Sequence, residues 1–225
     1  MEELRPNEQR ARNAITLIRI VLVLEIIAFI SGYFQYNLLK GVADGGEVST
    51  ETANANDTRE QIVAILYMVA MIVSAVTFIQ WFRRAYYNLH LKVSYLNYSE
   101  GWAAGSWFVP ILSLFRPFQI MKELYQETQV LLARKGLEYN HQLSTNTLGI
   151  WWALWVVNNI LSQFAFRTNM KADTIDDYIT GTLAGMAGNL IGIPLAFLAI
   201  KVISDYAGVE PLLKEVQNEE TMATI

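Results

Sequence analysis

Four long apolar runs, at 14–36, 62–82, 148–166 and 179–203, constrain this chain more than any other feature. Each approaches or exceeds the ~20 residues that a helix rising about 1.5 Å per residue needs to cross about 30 Å of hydrocarbon. A backbone in lipid must satisfy its own hydrogen bonds, so runs of this kind read as helices and not as open sheet. Composition agrees, since only 17% of residues are charged where soluble domains carry about 25%. The first run follows Arg10 and Arg12. It is longer than the roughly 7–15 residue core of a secretory signal and has no small-residue cleavage site, so it reads as a retained anchor.

A further apolar stretch, 102–115, is interrupted by Pro110. As a helix it reaches only about 21 Å, short of a crossing. Charge decides its topology, because Lys and Arg near the ends of membrane helices mark the cytoplasmic side. Arg5, Arg10, Arg12 and Arg19 precede or open the first run, and Arg83, Arg84 and Lys92 follow the second. Arg116, Lys122, Arg134 and Lys135 follow the short stretch, and Lys201 and Lys214 close the chain. Lys40, Arg59, Arg167 and Lys171 instead share two loops with many acidic residues, among them Asp44, Glu47, Asp173 and Asp177.

The sequence thus predicts an all-α integral membrane protein forming one membrane domain. Four transmembrane helices leave both termini cytoplasmic, and 102–115, basic on both flanks, enters and leaves on one side as a re-entrant or interfacial hairpin. A fifth crossing would put one basic flank outside. The segment 40–60, rich in Gly, Ala, Asn, Thr and acids, reads as a flexible external loop, and 204–225 as a cytoplasmic tail.

Two cytoplasmic segments carry helical stripes. Ile79, Phe82, Tyr86, Leu89, Val93 and Leu96 recur at spacings of three and four beyond the second run. Residues 117–135 read as an amphipathic helix with Phe118, Met121, Leu124, Tyr125, Leu131 and Leu132 on one face, Pro117 in its first turn and Gly136 as its stop. Such faces need burial against each other or at the headgroup level.

The motifs WFRRAYYNL from Trp81, YSEGWAAGSWFVP from Tyr98, LFRPFQIMKEL from Leu114 and WWALW from Trp151 occur in that order. Over roughly 78–164 the chain resembles the bacterial membrane-protein family catalogued as domain of unknown function 4328. Glu100 stands where that family pattern often has proline. The resemblance implies a bacterial inner-membrane location and a multi-helix layout, and it implies no activity.

Three groups of residues are candidates for function. Glu25 falls about 16 Å into the first helix, near the bilayer midplane, where a carboxylate costs at least about 2.5–3.5 kcal/mol to insert. Ser74 and Thr77, Asn158 and Asn159, and Asn189 fall at similar depth on the other helices. This polar layer either handles an ion or proton with Glu25 as its titrating member, or serves as interhelical hydrogen-bonding glue. The second group, Arg84, Trp102, Trp107, Arg116 and Glu123, surrounds the hairpin. It is an interfacial anchor, or a site where Arg84 and Arg116 take lipid phosphate or a partner's carboxylate unless Glu123 already pairs with them. Third, Gly181, Gly185, Gly188 and Gly192 form a small-residue stripe that lets another helix of this chain or of a second copy approach closely.

Other classes are disfavoured. Without cysteine, thiolate nucleophiles and cysteine metal sites are excluded. His90 and His141 lack partners at ligand spacing, no phosphate-binding glycine loop follows a strand, and the basic residues form no nucleic-acid footprint. The chain therefore reads as a non-enzymatic interaction or scaffold protein without cofactor or metal. Its expected partners are membrane lipids and a membrane protein or second copy, not nucleic acid. The alternative is a small ion or proton transporter or channel built on the Glu25 layer, as a homo-oligomer because four helices make a narrow path.

Overall fold

The structure, a computed structural model, describes residues 3–138 and 143–216. His141 and positions 217–225 of the predicted tail lie outside that range. Among the described residues all regular structure is helical: α1 (Glu8–Ala43), α2 (Thr50–His90), α3 (Trp102–Gly105), a 3-10 turn (Leu112–Leu114), α4 (Arg116–Arg134), α5 (Thr145–Met170) and α6 (Ile175–Val209). Three helices are long and apolar enough to cross a membrane: α1, α2, and α6 with its continuation to Val216. These mark a membrane protein. The predicted span 148–166 lies inside the 26-residue α5. Its tryptophans and the amides of Asn158, Asn159 and Gln163 dilute its apolar character, and it is not among the three.

The chain divides into two compact units, to both of which α1, α2, α5 and α6 contribute. The first takes its residues from Met1–Leu17, Ser74–Trp152 and Leu198–Ile225; the second is Ile18–Val73 with Ala153–Phe197.

The first unit has a dense apolar core. Trp81, Phe82, Tyr86 and Leu89 from α2 are fully buried, as are Ile120, Met121, Leu124, Tyr125 and Leu132 from α4, and Ile203, Tyr206 and Leu213 from the C-terminal part. The α4 stripe lies on its buried face, and the helix starts at Arg116 with Pro117 in the first turn and stops before Gly136. Tyr125 and Tyr206 stack with ring centroids 6.1 Å apart, and the Tyr125 hydroxyl donates to the Val202 carbonyl at 2.8 Å. Burial pushes the Tyr125 phenol well above its ordinary pKa, which keeps it a neutral donor. The predicted tail is thus corrected in part: residues 204–209 continue α6, and Tyr206, Val209, Leu213 and Val216 are buried here. Their apolar spacing serves this core.

In the second unit the ordinary pattern is inverted. Ile20, Val23, Ile27, Ile65, Leu66, Ile72, Ile160, Leu190 and Phe197 are exposed, whereas Glu25, Ser31, Asn56 and Thr182 are buried. Apolar outside and polar inside is the arrangement lipid imposes. The loop expected at 40–60 shrinks to a few residues. α1 ends in a Schellman motif: Gly46 N–H donates to Gly41 O and Gly45 N–H to Val42 O, with Gly45 at φ +89°. α2 then starts at Thr50, where the Ser49 hydroxyl caps the Thr52 N–H at 3.1 Å. Adding turns to an existing helix avoids the nucleation cost, so even the polar 50–60 segment is helical.

Candidate functional site

Residues 101–116 run through α3 and the 3-10 turn into the start of α4. α3 is a single turn, and Ile111 sits at φ 69°, ψ −53° with Leu112 N–H donating to Pro110 O at 2.8 Å. This γ-turn is strained for a β-branched residue, a conformation that costs about 1–3 kcal/mol. This segment is pinned from inside. The Trp107 ring meets Phe78 edge-on at 5.7 Å and Trp152 at 5.8 Å, and Trp152 Nε1 donates to Leu114 O at 3.0 Å. Its other face is bare. Phe108 is 76% and Ile111 74% exposed, the two most exposed large apolar side chains among the described residues, with Trp102, Leu114 and Phe115 also exposed.

The predicted hairpin group does not converge on one cleft. Arg116 lies over the Tyr98 ring at 4.8 Å. Glu123, buried, accepts from the Tyr86 hydroxyl and from Asn97 N and Nδ2 at 2.7 and 2.6 Å. Its carboxylate closes the connection after α2 onto α4. Arg84 instead lines a cavity of about 510 Å³ with Arg5, Arg10, Arg83, Tyr87 and Glu100. Beneath α2, Glu210 accepts from Asn7 Nδ2 at 3.0 Å and Asn88 Nδ2 at 2.7 Å. Neither this carboxylate nor the arginine cavity was singled out from the sequence, although Glu210 on an apolar stripe with Val209 and Leu213 was the available signal.

In the second unit Glu25 is buried and accepts from the Tyr67 hydroxyl at 2.7 Å. With its amide oriented to satisfy both neighbours, Asn189 donates to Glu25 Oε2 at 3.0 Å and accepts from Phe29 N at 3.2 Å. Of the predicted layer, Asn189 is the member bonded to Glu25. Asn159 donates to Trp155 O of its own helix, while Ser74 and Thr77 belong to the first unit, where Thr77 bonds the Ser74 carbonyl. Tyr67 was missed, yet it is the one tyrosine in the run 62–82, and a hydroxyl there needs a partner. Tyr67 and Asn189 also line a cavity of about 180 Å³ with Gln35, Glu60, Thr182 and the apolar Val63, Ala64 and Met186.

The glycine stripe of α6 divides by neighbour. A Cβ on Gly192 would stand 2.3 Å from Glu25 Oε1, and one on Gly181 would meet Asn169. One on Gly188 would be 3.7 Å from Asn158 Oδ1, and Gly185 faces open space. No group of three His, Asp or Glu side chains among the described residues is arranged to hold a metal.

The family model described as Domain of unknown function (DUF4328) matches residues 44–208, from just before α2 to the end of α6. The chain belongs to this family. The DUF4328 match thus extends beyond the motif-bearing region to take in the Glu25-bonded Tyr67 and Asn189. No curated protein and no solved structure matches the chain.

Proposed function

We infer that this chain is a multi-pass protein of the bacterial inner membrane that acts by binding, not catalysis. In this reading α5 is a fourth span, both termini are cytoplasmic, 102–115 re-enters the inner leaflet, and α4 is an amphipathic cytoplasmic helix. Hairpin and α4 together present an aromatic and basic face to lipid or to a protein partner. One observation carries the reading: Phe108 and Ile111 are held outward by a strained turn while Trp107 fixes the hairpin from behind. Burying either side chain is worth about 1.5–3 kcal/mol, which offsets the strain only if an apolar phase receives it.

The chain has no native cysteine, so single cysteines introduced as Phe108→Cys, Ile111→Cys and Lys122→Cys report cleanly. Spin labels at 108 and 111 are expected to be more accessible to oxygen than to a nickel chelate in bilayers. Lys122→Cys is expected to react only with reagent on the cytoplasmic side. Chelate-accessible labels at both hairpin positions would sink the reading.

A second reading, a small ion or proton conductor working as a homo-oligomer, draws support from the cavity whose lining includes both donors to Glu25. Here Glu25→Gln, which keeps hydrogen bonding and removes titration, is expected to abolish pH-driven flux in reconstituted vesicles. If wild-type vesicles carry no flux across proton, sodium and potassium gradients, this reading fails.

A further inference from the structure

The arginine cavity of the first unit brings together side chains far apart in sequence. Arg5 comes from the segment before α1, Arg10 from its first turns, and Arg83 and Arg84 from α2 just past the apolar run. Tyr87 supplies the floor, with Arg5 over its ring at 4.4 Å and Arg84 at 5.9 Å. Arg10 Nη1 reaches Gln80 O at 3.4 Å, and Arg83 pairs with Glu100 Oε1 at 2.8 Å. Within the lining, four guanidiniums face one carboxylate.

Arg84 is partly desolvated and also meets the like charges of Arg10, Arg5 and Arg83. Glu210, whose oxygens accept from the Asn7 and Asn88 amides, offsets part of the charge on Arg84. Like charges assembled around an open, half-buried space are relieved by a ligand of opposite sign. A carboxylate offers one charge and two acceptor oxygens, enough for a single guanidinium fork. A phosphate offers more acceptors and, as a monoester, nearly two charges, which suits several forks at once.

We propose that the cavity formed by Arg5, Arg10, Arg83, Arg84 and Tyr87 binds a phosphate group, carried by an anionic phospholipid headgroup or by a soluble phosphate compound. The lipid source rests on the membrane placement inferred above, since it requires these arginines at the headgroup level of the inner leaflet. The soluble source does not. Arg116, sequestered on Tyr98, is outside the site.

The test uses the full chain in phosphatidylcholine nanodiscs with and without phosphatidylglycerol, and the same protein titrated with inorganic phosphate and pyrophosphate. Binding is read by native mass spectrometry and calorimetry. Arg84→Gln and Arg10→Gln are each expected to weaken the bound species about tenfold, and Lys171→Gln, an exposed position of the second unit, to leave it unchanged. If Arg84→Gln fails to fold, the more exposed Arg83→Gln takes its place. Retention of phosphatidylglycerol without competition by the inorganic anions assigns the lipid source; competition by them assigns the soluble one. Equal competition by citrate would overturn the phosphate class, and equal affinity of wild type and arginine variants for every probe would overturn the site. Loss of phosphate binding with spin labels at 108 and 111 still in lipid would sink this site alone. Chelate-accessible hairpin labels with phosphate still bound would sink the membrane placement and leave the site standing.

Discussion

Glu123→Ala is expected to destabilise the protein by about 2 kcal/mol, because it removes the one buried acceptor shared by three hydrogen-bond donors. The donors are the Tyr86 hydroxyl and both nitrogen groups of Asn97, and they tie α2 and the segment after it to α4. Glu123→Gln is expected to cost no more than about 1 kcal/mol. Its oxygen still accepts from Asn97, and its amide can donate to Tyr86, whose hydroxyl then donates to Tyr98 O, already 3.1 Å away. Denaturant unfolding in mixed micelles separates the two variants. Equal damage from Gln and Ala would mean that charge, not hydrogen-bond satisfaction, holds this junction.

The second large effect lies at Gly192. A methyl group there would fall 2.3 Å from Glu25 Oε1 and 2.5 Å from its carboxyl carbon. That carboxylate cannot simply swing away, since Tyr67 and Asn189 hold it. Gly192→Ala is therefore expected to cost about 2 kcal/mol, in the range of overpacking changes. Gly185→Ala, with nothing within 4 Å of the added atom, is expected to stay within about 0.5 kcal/mol of wild type. Glu25→Ala removes the obstacle, so the Glu25→Ala/Gly192→Ala double variant is expected to be more stable than the sum of single losses predicts, by at least about 1 kcal/mol. Strict additivity would show that Gly192 is required for some reason other than the carboxylate it faces.

Both results bear on the two readings of function. The Glu25, Tyr67, Asn189 and Gly192 group is tightly determined, whether it conducts or only binds helices together. The segment 101–116 is determined from one side only, by Trp107 and Trp152, and leaves its apolar face uncovered. A satisfied buried polar group beside an unsatisfied apolar surface favours binding over conduction.

Much of this protein follows from local pattern. The apolar runs fix which segments are helical, since a backbone in lipid has few alternatives. The three-and-four spacing from Met121 to Leu132 identifies the α4 face that is buried, and Gly136 marks where that helix stops. Even the error at 40–60 had a readable remedy in Ser49 and Thr52, a cap sequence overshadowed by the polar composition that follows it.

Pairings between distant segments had no such trace. Nothing in the spacing of Arg5, Arg10, Arg83 and Arg84 says that they share one cavity, or that Glu123 answers Tyr86 and Asn97 while Glu210 answers Asn7 and Asn88. Hydrophobic periodicity is a property of one helix at a time, and it sets which face turns inward. Which polar group meets which depends on the rotation and axial offset of neighbouring helices, and those are chosen by the packing of the whole core.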